Sequence, residues 1–153
     1  RTAWIDRGIN TFPLAAGTDG YLYEHESGCC DGSTVPSSPI TAYIESSQID
    51  IGDGDRFAFI RRLIPDVTFV GSTEEDVSVN MILKARNFRG AAYGDDQDGV
   101  VTRSATIPVE QFTDQVNVRL RGRSFALRVE SDTLGTAWRL GSPRVDIRQD
   151  GGR

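Results

Sequence analysis

A chain of 153 residues with 38% hydrophobic content is long enough for one domain with a sizeable core, or for one domain and a fragment of another. Its formal net charge of −5 and pI near 4.9 argue against a general nucleic-acid binder, and no apolar run approaches the ~20 residues of a membrane helix. The only cysteines, Cys29 and Cys30, are adjacent, which excludes a disulfide-stapled scaffold and a four-cysteine zinc site.

The amino end, Arg1-Thr2-Ala3-Trp4-Ile5-Asp6, has no apolar signal core and no starting methionine, so the chain reads as part of a longer or processed product. A turn at residues 17–20 precedes a predicted strand at 21–26, and a polar Gly/Ser/Pro-rich loop fills 28–39. Residues 40–46 and 48–51 have the β-branched and aromatic content of strands, and Gly52-Asp53-Gly54-Asp55 is turn chemistry. Strands are predicted at 57–64 and 67–70, parted by Pro65, which cannot donate to a central ladder. Residues 77–85 alternate apolar and polar, as a strand with one buried face does. After a turn-rich loop at 87–99, a strand follows at 100–109. Residues 116–121 alternate strictly, with Val116, Val118 and Leu120 inward and arginines outward, and the pattern resumes at 125–130. Short strands at 138–140 and 145–148 close the chain.

Seven to nine short strands with no helical period predict an all-β fold, an antiparallel β-sandwich of jelly-roll or related order. Residues 1–27 read as the end of an upstream β domain, 28–39 as a linker and 40–153 as the sandwich.

Little in the chain carries catalytic chemistry. His25 is the only histidine and alternates with Glu24 and Glu26 along a strand, the pattern of a surface or interface residue and not of a hydrolase base. Acidic residues occupy the 52–55 turn where a phosphate loop needs open amides and a lysine. Two acidic loops offer oxygen ligands for calcium, Asp50, Asp53 and Asp55 in one and Asp95, Asp96 and Asp98 in the other. Neither has the full EF-hand spacing, and Asp-Gly clusters are commonest as plain turns. No cofactor is expected.

Lys84 is the only lysine, so 16 of the 17 basic residues are arginine. Arginine is favoured at interfaces, because its planar fork pairs with carboxylates and stacks on aromatic rings; a GC-rich genome would write the same bias. Arg119, Arg121, Arg123 and Arg128 fall on or beside the polar face of two strands expected to be neighbours. Their expected partners on another copy are the carboxylates of Glu74, Glu75 and Asp76 or of the 95–98 loop.

Several segments taken in order resemble the carboxyl-terminal regions of short-tailed bacteriophage tail proteins of the hub or nozzle type. They are residues 17–26, 42–46 and 50–55, then Arg62-Leu63-Ile64-Pro65-Asp66, Gln111-Phe112-Thr113-Asp114-Gln115 and Arg119-Leu120-Arg121-Gly122-Arg123, then residues 138–148 before Asp150-Gly151. The resemblance implies a structural virion protein that forms a homo-oligomeric ring with other tail proteins, through which phage DNA passes without specific binding. It also implies that residues 1–27 are a last propeller blade and that the protein is located in the virion tail; the lack of a nucleophile-base pair around His25 predicts no enzyme activity, and the lack of a long apolar run predicts no membrane insertion. The Cys29-Cys30 pair and the 95–98 loop depart from the family pattern and inherit no role. A second expectation is a glycan-binding receptor-recognition sandwich that uses exposed Tyr and Trp.

Overall fold

The structure is a computed structural model and describes residues 2–50, 52–87 and 104–151. Three short strands come first: β1 (Ala3–Ile5), β2 (Leu14–Ala16) and β3 (Leu22–Glu24). They form an antiparallel meander in that order, and only Pro13 and Ala15 on it are buried. A two-stranded ribbon follows, β4 (Cys30–Asp31) and β5 (Ser38–Pro39), within the loop expected at 28–39.

The remaining strands are β6 (Ala42–Glu45), β7 (Ile49–Asp50), β8 (Ala58–Ile64), β9 (Val67–Thr68), β10 (Ser78–Arg86), β11 (Ser104–Glu110), β12 (Val116–Gly122), β13 (Ser124–Ser131), β14 (Arg139–Leu140) and β15 (Arg144–Gln149). They build an all-β, sandwich-like fold, with no helix among the described residues. One layer has the order β11-β10-β13-β6, with β7 also on β13; the facing layer is β12-β8-β15; β14 and β9 form a small ribbon. All the pairings are antiparallel.

Alternation decides which side chains fill the space between the layers. On β10, Val79, Met81, Leu83 and Ala85 are buried while the residues between them are partly open. They meet Ile107 and Val109 of β11, Phe125 and Val129 of β13, Val118 and Leu120 of β12, and Ala58, Ile60 and Leu63 of β8 in one core. Pro108 costs no ladder bond that matters, because β11 is an edge strand.

Strand β8 breaks the alternation once. Ile60 and Leu63 are both buried although three positions apart, and the register with both neighbours slips around Arg61. A bulge at this point returns Leu63 to the core face and leaves Arg61 exposed.

Strands β12 and β13 do not pair. They were expected to be neighbours, but β12 bonds to β8 and β13 to β10, so the chain crosses from one layer to the other between them. The crossing needs a glycine: a Cβ on Gly122 would stand 2.8 Å from the Ala85 Cβ and 3.1 Å from the Arg86 carbonyl oxygen. The Arg123 N–H then donates to the Arg86 carbonyl at 2.9 Å, which fixes the corner. Gly122→Val is expected to lower stability by about 1–3 kcal/mol through overpacking, read as a drop in the urea midpoint; an unchanged midpoint would show that the corner relaxes freely.

Candidate functional site

The fold sends the predicted arginines to different layers. Arg128 lies on β13, its guanidinium 3.9 Å from the centre of the Tyr43 ring on β6. Its Nε donates to Glu130 at 2.6 Å and its Nη1 to Glu45 at 3.3 Å, while Lys84 of β10 donates to Glu45 at 3.0 Å. Arg128 therefore belongs to an internal network that laces β6, β13 and β10 together. The hydrogen bond to Glu130, then that to Glu45, holds its guanidinium more firmly protonated than usual.

The Lys84 ammonium, followed by Arg128, keeps the Glu45 carboxyl below its ordinary range. A carboxyl that titrates lower in the folded than in the unfolded chain stabilises above the ordinary carboxylate range, and that contribution is lost as pH falls through the lowered folded value. Glu45→Gln is expected to cost about 1 kcal/mol near neutrality and to flatten the acid fall in stability between about pH 6 and pH 3. Urea unfolding along that pH series checks it; parallel curves for the two proteins would refute it.

Arg121 and Arg123 converge on Phe57 in the other layer, at 4.1 and 4.8 Å from the ring centre. Arg121 Nε donates to Asp150 at 2.5 Å. The Phe57 N–H donates to the Gly151 carbonyl at 3.1 Å and the Asp150 N–H to the Phe57 carbonyl at 2.7 Å. This cluster pins the end of β15 to the start of β8. Of the four arginines read from the sequence, Arg119 alone is exposed with no ion pair among the described residues.

The bulge and the register bring three more exposed arginines onto the Arg119 side of the molecule: Arg61 of β8, with Arg144 and Arg148 of β15. Sequence reasoning missed them because strand pairing over more than eighty residues assembles this face. The one legible signal was the Arg61-Arg62 doublet inside an apolar strand, which marks a bulge. Glu74, Glu75 and Asp76 form an exposed acidic turn beside Thr133 and Leu134, with an open hollow of about 700 Å³.

Two further surfaces are open. The outer edges of β6 and β15 have no strand partner among the described residues, and a cleft of about 330 Å³ lies there, lined by Ile44, Ile49, Leu127, Leu140, Val145 and Ile147. On the first sheet Trp4, Ile5, Tyr21 and Leu22 are 54%, 61%, 69% and 74% exposed. A wide polar hollow of about 1110 Å³ runs between β3 and residues 28–41, with Tyr21, Tyr23, Glu24 and Asp31 on its walls. His25 also lines it, with its ring 4.9 Å from that of Trp4.

The calcium candidates separate. Asp53 is exposed on its turn, Asp55 faces Arg56 at 4.0 Å, and Asp50 accepts from the Gln48 side chain. Among the described residues no three His, Cys, Asp or Glu side chains converge to hold a metal ion. Asp95, Asp96 and Asp98 lie outside the described residues. Cys29 and Cys30 are both free thiols. The chain matches no family model and no curated protein sequence.

Proposed function

We propose that the chain is a structural component of a virus particle, a sandwich domain of a short-tailed phage tail protein of the hub or nozzle type. In this reading it works by packing against copies of itself in a ring and against neighbouring tail proteins, around a conduit that DNA traverses without specific binding. The virion assignment rests on the ordered sequence resemblance. The observation that carries the assembly half is the first sheet: three strands with Trp4, Ile5, Tyr21 and Leu22 all more than half exposed and only Pro13 and Ala15 buried. Trp4 lies on one face of the meander and Ile5 and Leu22 on the other, so both faces carry exposed large apolar side chains, the kind of surface that marks a protein contact. A three-stranded meander is stable when its apolar face is covered, so this one calls for more protein against it.

Light scattering of the chain at low and high salt tests the reading. A ring-sized particle is the expected result; apolar contacts of the first sheet persist as salt rises, and any loss of mass with salt reports contacts between arginines and carboxylates. A monomer at every concentration would overturn it and favour a second reading, a glycan-binding module. What favours that alternative is the polar hollow beside β3, where the amphipathic rings of Tyr21 and Tyr23 stand among carboxylates that accept hydroxyl hydrogen bonds.

A further inference from the structure

Strands β12, β8 and β15 carry six arginines, Arg119 and Arg121, Arg61 and Arg62, Arg144 and Arg148, against a single acid, Asp146. The sheet is thus +5 in a chain of −5, and everything outside it sums to −10. The overall charge conceals this separation.

Part of the basic set is used internally: Arg62 donates to Gln115 at 3.3 Å and Arg121 to Asp150. Arg61, Arg119, Arg144 and Arg148 are exposed and make no ion pair among the described residues. Charged side chains on an edge strand also guard against stray strand pairing, which accounts for Arg119 on β12 and for Arg144 and Arg148 on β15. It does not account for Arg61, which sits on the central strand and follows the buried Ile60 onto the outer face. An unpaired guanidinium at the middle of the sheet, flanked by others at both edges, is a pattern for receiving carboxylates.

We propose that the outer face of β12, β8 and β15 docks on the acidic surface of a second copy of the chain. The proposal rests on the reading of the chain as a self-assembling component and adds a second, charged face to the apolar one of the first sheet. Charge complementarity selects the occupant, since each copy offers four exposed arginines without an ion pair among the described residues, Arg61, Arg119, Arg144 and Arg148, against a remainder of the chain outside this sheet that sums to −10. Contact between unlike patches runs head to tail, and it closes into a ring when the rotation permits. Arg128, Arg121 and Arg123, tied up within their own chain, support the fold and not this contact.

The test is a variant carrying Arg61→Glu, Arg119→Glu and Arg148→Glu, with native circular dichroism as the check on folding and sedimentation at low salt as the readout. Its self-association is expected to fall at least about tenfold, because like charges then face each other. The same variant, fluorescently labelled, is expected still to join the wild-type chain, whose arginines meet the variant's intact acidic surface. A misfolded variant would not do so. Self-association as strong as wild type would overturn the proposal and leave the structural reading standing. Failure to join either partner despite native spectra would overturn the proposal too. A wild-type chain that stays monomeric at all concentrations would overturn both. Arginine-dependent binding of a short DNA oligonucleotide in preference to a second copy would replace this occupant with a polyanion.

Discussion

Phe125→Ala is expected to remove about 3–5 kcal/mol of stability, the largest loss of any single truncation among the described residues. Phe125 is 1% exposed and stands opposite Ala85 of β10 on one side and Ile49 of β7 on the other. It is also the second residue of the strand that re-enters the larger layer after the corner at Gly122, so its ring is placed where two layers must be filled at once. Ala85 is small and cannot swell into the vacated space, and the neighbouring β-strands are held by their ladders, so most of the cavity would remain. Small domains are stable by only about 5–15 kcal/mol, so a loss of this size brings the variant close to its unfolding midpoint. Chemical unfolding measures it, with Phe112→Ala as the control. Phe112 is 89% exposed, and its truncation is expected to stay within about 0.5 kcal/mol. A Phe125→Ala loss below about 1.5 kcal/mol would mean that the core does not converge on this ring.

The contrast between β10 and the β12–β13 corner shows what one sequence discloses. On β10 every second residue is apolar for nine positions, and the strand runs through the centre of its layer, so its two faces were readable without knowing its partners. Strands β12 and β13 show the same alternation on either side of a glycine, which reads as a hairpin as readily as a crossing. Only the position of Ala85 against Gly122, set by a distant strand, decides between them. The arginines follow suit. Arg119 was legible as an outward residue because Val118 and Leu120 flank it. Arg144 and Arg148 were legible as polar positions, but not as company for Arg119, since β8 joins them across the sheet. Arg128 was legible as polar and yet belongs to an internal network, because Glu45 comes to it from more than eighty residues away. Local pattern fixes which way a side chain points, and long-range pairing decides what it meets.

Phe57→Ala is expected to cost about 3–4 kcal/mol, more than its position at a strand margin suggests. Phe57 as a whole is 8% exposed, and its ring lies under two guanidiniums, those of Arg121 and Arg123. Truncation loses the burial of an aromatic side chain and two cation–π contacts together, and the latter are worth about 0.5–2 kcal/mol each according to how far they are desolvated. Phe57→Leu separates these contributions. Leucine keeps much of the apolar volume and none of the π-face, so a cost of about 1–2 kcal/mol in that variant measures the arginine contacts. Equal losses in the leucine and alanine variants would assign the whole effect to the ring's cation contacts, and a negligible loss in the leucine variant would assign it to volume alone. The site also bears on assembly. Backbone bonds to Asp150 and Gly151 tie Phe57 to the end of β15, which carries Arg148, while Arg121 borders Arg119 on β12. A variant that loosens this clamp would let both edges of the basic sheet fray while the opposite layer keeps its ladders. Self-association is therefore expected to weaken in Phe57→Ala at denaturant concentrations where circular dichroism still reports a folded chain. Coincident loss of the two signals would instead show that the clamp and the sandwich melt as one unit.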